Sequence, residues 1–221
     1  ADVYLIAVPT PFKENHEPDL KYVESATRMI MPNLNEGNLF IIESTSPVGT
    51  TDKIADIIFD ERPELKGKIN IAYCPERVLP GKVIYELEYN DRVIGGLDEQ
   101  STKAAQDFYR QFVKGELHAT NAKMAEMCKL VENSSRDVSI AFANELSIIC
   151  DKADINVWEL IDLANKHPRV NILQPGTGVG GHCIAVDPWF IISEFEEEAV
   201  IIRNAREINN YKTDWVIEKI K

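Results

Sequence analysis

Short unbroken apolar runs alternate along the first half of the chain with segments in which apolar residues recur every three or four positions. The run at residues 1–8, ending at Pro9-Thr10-Pro11, reads as a strand buried in a parallel sheet, and the runs at 39–43, 69–73 and 92–95 predict three more strands. The periodic stretches at 20–31, 53–59 and 102–113 predict helices between or after them. Strand and helix in alternation predict an α/β fold with a parallel sheet and right-handed crossovers. From Ala122 the pattern changes. Residues 122–153 contain almost no helix breaker, and 156–166, 188–195 and 199–221 continue as amphipathic segments, so an all-helical region follows the sheet.

In such sheets ligands sit beyond the carboxyl ends of the strands. Those ends carry Pro9-Thr10-Pro11, Ser44-Thr45-Ser46-Pro47-Val48-Gly49 and Cys74-Pro75-Glu76-Arg77. Each loop alone is ordinary turn chemistry; their shared position makes them candidates. On the long helix Lys129, Asn133 and Arg136 are four and then three residues apart and share one face, with Asp137 beside them. A solvated stripe is the plain reading, but Asn133, Ser134 and Ser135 are poor helix formers, which favours a polar contact for that face.

The densest candidate is Gly176-Thr177-Gly178-Val179-Gly180-Gly181-His182-Cys183, four glycines within six residues before a cysteine. Convergent backbone N–H groups with no side chains in the way suit a covalent site. Two other readings stand beside it. The spacing of Gly176, Gly178 and Gly181 matches a dinucleotide fingerprint, but Pro175 precedes it and the next helix starts only at Asp187, a good N-cap followed by Pro188. The cysteine also suits a buried place in a tight loop.

Composition narrows the classes. The 221 residues are 44% hydrophobic, and a net charge of −12 argues against a nucleic-acid or anionic-membrane surface. Cys74, Cys128, Cys150 and Cys183 form no C-x-x-C pair, so neither zinc nor any other metal site, nor a disulfide framework, is expected. No apolar run reaches the roughly 20 residues of a membrane span. A reducing cytoplasmic setting is expected.

Taken in order, the Ser44 to Gly49 loop, Cys74-Pro75-Glu76-Arg77, Lys129-Leu130-Val131-Glu132-Asn133, Asn144-Glu145-Leu146 and Gly180-Gly181-His182-Cys183-Ile184-Ala185-Val186-Asp187-Pro188 resemble the nucleotide-sugar 6-dehydrogenases. This is the family of UDP-glucose and GDP-mannose dehydrogenases. Within it, Pro75-Glu76-Arg77-Val78-Leu79-Pro80-Gly81-Lys82 and the glycine-cysteine loop are most similar to UDP-N-acetylmannosamine dehydrogenases. The resemblance implies a partial chain. It gives the second half of a Rossmann-like parallel sheet at 1–115, a central helical substrate and dimerisation domain at 116–200, and the start of a long connecting helix at 201–221.

The resemblance further implies oxidation of a UDP-sugar at C6 to the uronate with NAD, through a cysteine thiohemiacetal and thioester. UDP-N-acetylmannosamine is the expected substrate, with UDP-N-acetylglucosamine or UDP-glucose as alternatives. It makes Cys183 the nucleophile and gives Lys129 and Asn133 the reacting oxygen and a water. Asp187 orients Lys129 or that water, and Glu76 and Thr45 line the reaction site. Pro9, Thr10 and Thr45 face the cofactor, and Arg77, Val78, Lys129, Asn133, Arg136, His167, Arg169 and Gly180 face the substrate. Where UDP-glucose dehydrogenases have a second glutamate four residues after Glu76, this chain has Pro80. Glu76 therefore either positions water or only braces its loop. A homodimer or higher homo-oligomer through the central helices is expected. Two rival classes are a non-catalytic oligomerisation module and a cysteine acyl-transfer enzyme; the latter needs a histidine base, for which His182 is poorly placed.

Overall fold

The computed structural model describes residues 1–13, 16–78 and 81–221. Pro80, on which the question of a second carboxylate turns, lies outside the described residues, as does Leu79. Two compact units are present, Ala1–Leu130 and Val131–Lys221.

The first unit holds strands β1 (Val3–Ile6), β2 (Leu39–Ile42), β3 (Asn70–Tyr73), β4 (Arg92–Gly96) and β5 (Leu117–Asn121), in the spatial order of the sequence. β1, β2 and β3 are parallel, with Val3 beside Leu39 and Leu39 beside Asn70. Their crossovers are α1 (Lys21–Ile30) and α2 (Thr50–Glu61), both close to the expected helices. The wholly parallel expectation fails at one place: β4 runs antiparallel to β3, with Ala72 opposite Gly96 and Tyr73 opposite Gly95. The reason lies in the connection. Its helix α3 (Val83–Tyr89), which the apolar pattern did not predict, has 7 residues and buries none of them. At about 1.5 Å per residue it extends about 10 Å and buries no side chain, too little to serve as a crossover that returns the chain to the start of β3. A second crossover, α4 (Glu99–Tyr109), then brings β5 in parallel to β4. Strand β5 was also unforeseen, since Leu117-His118-Ala119-Thr120-Asn121 has no apolar run.

Side-chain alternation sorts the core into two layers. Phe40, Ile42, Ile71 and Tyr73 pack with Val23 of α1 and Ile54, Ala55 and Ile58 of α2. Leu39, Ile41, Ala72 and Ile94 pack with Ala105 and Tyr109 of α4. Helices thus cover both faces of a central sheet. β2 is buried along its whole length, while Leu5 of the outermost strand β1 is 44% exposed.

The division between the units falls inside helix α5 (Ala122–Ala153), whose bounds coincide with the expected 122–153. The second unit is helical, with the remainder of α5, then α6 (Val157–Ala164), α7 (Asp187–Glu194) and α8 (Val200–Ile220). Asn156 caps α6, its side chain accepting from the N–H groups of Trp158 and Glu159. Asp187, expected as a cap, is instead the first residue of α7, with Val186 before it and Pro188 in the first turn. Among the described residues no helix is long and apolar enough to cross a membrane.

Candidate active site

In the first unit the carboxyl ends of β1 and β2 are stitched together by side chains. Ser44 Oγ accepts from Val8 N–H at 2.8 Å and donates to the Val8 carbonyl at 2.7 Å. Thr10 Oγ1 donates to the Thr45 carbonyl at 2.5 Å. Pro9 is exposed and Thr10 and Thr45 are half-buried, so the expected cofactor-facing residues form one rim. Behind that rim stands Glu126, fully buried in the first turns of α5. Its carboxylate accepts from Gly49 N–H at 2.6 Å, Thr51 N–H at 2.8 Å and the Thr51 hydroxyl at 2.6 Å, and so caps α2 from another helix. Burial pushes the Glu126 carboxyl above the usual carboxylate range, against the pull of those three donors.

At the end of β3, Lys129 Nζ donates to the backbone carbonyl of Glu76 at 2.9 Å. The Glu76 carboxylate bends back to accept from Val78 N–H, which is the bracing contact rather than one aimed outward. Arg77 and Val78 are half-buried in this loop, and Asn90 Nδ2 reaches the Arg77 carbonyl at 3.4 Å. Under the loop lies a buried polar knot. Tyr109 donates its hydroxyl to Glu43 Oε1 at 2.5 Å, and the Arg92 guanidinium stacks over the Tyr109 ring at 4.8 Å and reaches Cys74 Sγ at 3.9 Å. Burial pushes the Cys74 thiol up to about 11, so this cysteine stays protonated and inert near neutral pH.

In the second unit Cys183 is exposed. Its own carbonyl accepts from Val186 N–H at 3.0 Å and Asp187 N–H at 2.9 Å, so the cysteine sits on the turn that starts α7. Asp187, 4% exposed, takes the amide of Asn133 on its Oδ2 at 2.5 Å. Cys183, Asp187 and Asn133 are therefore brought together. Upstream of the cysteine, Gly178 has φ +126° and Gly181 has φ +89°, conformations that favour glycine. A Cβ on Gly178 would also meet Thr213 Oγ1 at 2.3 Å and the Asn209 carbonyl oxygen at 2.9 Å. No strand precedes the loop and no helix opens on Gly181, which disposes of the dinucleotide-fingerprint reading of these glycines. Gly180, Arg136, His167 and Arg169 are exposed, and His167 Nδ1 accepts from Arg169 N–H at 3.3 Å.

Two features escaped the reading of the sequence. Glu126 lies three residues before Lys129 on the same helical stripe, so extending the Lys129, Asn133 and Arg136 face by one turn would have found it. The other is the buried set Arg206, Asn209 and Lys212, whose spacing of three looks like a solvated face of α8. Among the described residues one group of metal-ligating character gathers, Asp91, Glu116 and His118; all three are exposed, and Asp91 Oδ1 is engaged by Glu116 N–H at 2.8 Å.

A mainly parallel sheet clothed by helices on both faces, with polar loops at the carboxyl ends of its strands, defines a Rossmann-like dinucleotide-binding architecture followed by a helical domain. Residues 1–113 match the NAD binding domain of the UDP-glucose/GDP-mannose dehydrogenase family and residues 123–211 match the central domain of that family. The chain belongs to the UDP-glucose/GDP-mannose dehydrogenase family. It is 60% identical to the UDP-N-acetyl-D-mannosamine dehydrogenase of Escherichia coli K12, covering 100% of this chain and 54% of that protein. It is 56% identical to an NDP-N-acetyl-D-galactosaminuronic acid dehydrogenase of Ralstonia nicotianae, again covering 100% of this chain and 54% of the relative. The solved UDP-D-ManNAc dehydrogenase of Pyrococcus horikoshii superposes with a TM-score of 0.91 at 44% identity, covering 99% of this chain and 52% of that one. The chain thus spans about half the length of the relatives it matches.

Proposed function

We propose that the protein carrying this chain is an NAD-dependent UDP-N-acetylmannosamine 6-dehydrogenase. The observation that carries the reading is the exposed Cys183 on the turn into α7, with Asp187 of that turn holding Asn133. The 60% identity to a UDP-N-acetyl-D-mannosamine dehydrogenase over the whole chain supports the choice of sugar.

The donor set suits NAD in one respect and restricts it in another. Pro9, Thr10 and Thr45 form a polar rim at the carboxyl ends of β1 and β2 and would hold the cofactor. The Gly49 and Thr51 N–H groups are already taken by Glu126, so these two donors of α2 are not a phosphate cradle. NAD⁺, when bound, supplies the hydride acceptor for each of the two oxidations.

The chain's own residues supply the rest. The C6 alcohol loses a hydride and a proton to become an aldehyde. The Cys183 thiolate adds to the aldehyde carbon to give a thiohemiacetal. Loss of a second hydride from carbon and of the hydroxyl proton gives a thioester, and attack by water breaks the C–S bond, releasing the carboxylate and one proton and restoring the thiol. Lys129 and Asn133 act on the oxygen that gathers charge, where removal of one such donor in other enzymes costs about 3 kcal/mol. Asp187 keeps the Asn133 amide aimed, as in the 2.5 Å contact, and Glu76 and Thr45 line the site. Arg77, Val78, Arg136, His167, Arg169 and Gly180 take the UDP-sugar, the arginines suiting its diphosphate through bidentate contacts. We further propose a cytoplasmic homodimer or higher homo-oligomer built through the central helices.

The test uses the intact protein. With NAD⁺ and UDP-N-acetylmannosamine, two NADH should form per uronate, and kcat/KM should exceed that for UDP-N-acetylglucosamine, UDP-glucose and UDP-N-acetylgalactosamine. A higher kcat/KM for one of those three would reassign the sugar. Cys183→Ser should still bind both ligands yet release almost no acid, because a hydroxyl is a far weaker nucleophile near neutral pH. Normal uronate formation by that variant would show Cys183 to be structural.

A further inference from the structure

The glycine loop reaches Cys183 from Pro175, and its first half is held by a chain of hydrogen bonds inside the second unit that is buried as far as Asn144 and half-buried where it meets the loop. Arg206 Nη1 donates to Asp137 Oδ1 at 2.9 Å. The same carboxylate oxygen accepts from Asn209 Nδ2 at 2.8 Å, and the Asp137 carbonyl accepts from that nitrogen at 3.1 Å. Asn209 Oδ1 then accepts from Asn144 Nδ2 at 2.8 Å. Asn144 Oδ1 finally accepts the backbone N–H of Gly176 at 2.8 Å. Asp137, Asn144 and Asn209 are wholly buried and Arg206 is 1% exposed.

The chain has a direction. An amide can present either its oxygen or its nitrogen, and here the choice is forced from the charged end. The Asp137 carboxylate only accepts, so Asn209 must turn its Nδ2 toward it and its Oδ1 toward Asn144. Asn144 must then give its Nδ2 to Asn209, which leaves its Oδ1 as the acceptor facing the loop. Two further contacts fix the same segment: Thr213 Oγ1 donates to the Thr177 carbonyl at 2.9 Å, and Gly178 lies against Thr213 and the Asn209 carbonyl.

We propose that Asn144 is a positioning residue: through its hold on Gly176, set in orientation by Asn209, Asp137 and Arg206, it fixes the entry of the loop that presents Cys183. This rests on the reading of Cys183 as the nucleophile. The loop between Gly176 and Cys183 carries three more glycines, so without a fixed entry the sulfur would sample many places, and misplacement by about 1 Å costs a reaction on the order of 10²-fold.

In the intact protein, with UDP-N-acetylmannosamine and NAD⁺ as ligands, Asn144→Ala should lower kcat by on the order of 10²-fold while KM stays within about threefold. Hydrogen–deuterium exchange over residues 174–183 should speed up. Asn144→Asp gives a sharper readout. Its carboxyl, when protonated, offers an O–H to Asn209 Oδ1 and a carbonyl to Gly176 N–H; ionised, it repels Asn209 Oδ1. The charged groups of the surrounding seam are Asp137 on α5 and Arg206 and Lys212 on α8. The kcat of this variant relative to the unsubstituted protein should therefore rise as pH falls, whereas that of Asn144→Ala stays flat. A folded Asn144→Ala protein with unchanged kcat, or an Asn144→Asp ratio independent of pH, would overturn the proposal. Should Asn144→Ala fail to fold, Thr213→Val removes the exposed hold on Thr177; faster loop exchange with kcat down about fivefold supports the proposal, and no change in either overturns it. The two readings fail separately. Uronate made by Cys183→Ser removes the nucleophile, whereas an inactive Cys183→Ser beside a fully active Asn144→Ala removes only the anchor.

Discussion

Two regions of the molecule solve the problem of burial in opposite ways. Between β2, β3 and their helices the first unit buries Phe40, Ile41, Ile42, Ile71 and Ala72, side chains that specify little beyond shape. Between α5 and α8 the second unit buries Asp137, Asn144, Ser147, Arg206, Asn209 and Lys212. There burial pushes the Asp137 carboxyl up and the Arg206 guanidinium down, so the cost of leaving water outweighs the attraction between the two charges. Lys212 is likewise lowered by burial, its ammonium donating to Ser147 Oγ at 2.7 Å and lying 3.9 Å over the Trp215 ring. An apolar layer gives stability and tolerates sliding; a polar seam gives less stability but permits one alignment. The polar seam lies against the glycine loop that leads to Cys183.

That contrast can be broken by substitution. Arg206→Ala leaves Asp137 buried without its cation and should cost about 3–5 kcal/mol in urea unfolding, while Asp137→Leu combined with Arg206→Leu should come out near neutral. A neutral Arg206→Ala would mean that the seam takes up water freely. In the layer around α4 the buried Cys74 thiol takes on charge only at high pH. The Cys74 thiol is raised by burial from an ordinary value of 9.0 to about 11, so the folded state holds its proton more tightly than the unfolded one. The Cys74 thiol should accordingly account for a loss of about 3 kcal/mol of stability as pH climbs from about 9 to about 11, and for none below that window. Cys74→Ala should remove that part of the slope, and identical slopes for the two proteins would contradict it. Glu126→Ala strands the N–H groups of Gly49 and Thr51 and should cost about 2 kcal/mol by thermal unfolding. Ile42→Val, which trims one methylene from the apolar layer, should cost about 1 kcal/mol. If it cost as much as Arg206→Ala, the two kinds of burial would not differ as described.

The apolar pattern exposed the parts of the fold that apolar packing builds. β1 to β4 and α5 stand where runs and periodicity put them, because unbroken Val, Ile and Leu segments have no other stable place. β5 and α3 were hidden for the complementary reason: Leu117 to Asn121 pairs through its backbone with only half-buried or exposed side chains, and α3 buries nothing. The reversal of β4 was invisible because a strand's own residues do not record its direction. Among the candidate residues, Cys183 and Asn133 are marked by glycine spacing and helix spacing, which are local signals, whereas Asp187 enters as a cap and, through the resemblance, as an orienting group. The capping of α2 by Glu126 and the hold of Asn144 on Gly176 join positions 77 and 32 residues apart, so the neighbouring sequence, even where a stripe or motif marks Glu126 or Asn144, does not name the partner.

The cap made by Glu126 has an electrostatic consequence for whatever approaches the rim of the sheet. The amino end of a helix attracts anions because its first N–H groups point outward unpaired. In α2 the N–H groups of Gly49 and Thr51 are satisfied from within, by a side chain that adds negative charge whenever it is ionised. A phosphate drifting toward Gly49 meets repulsion from an ionised carboxylate and two donors already spent. The amino end of α2 beside the Thr45 loop is thereby a poor seat for the phosphates of a nucleotide.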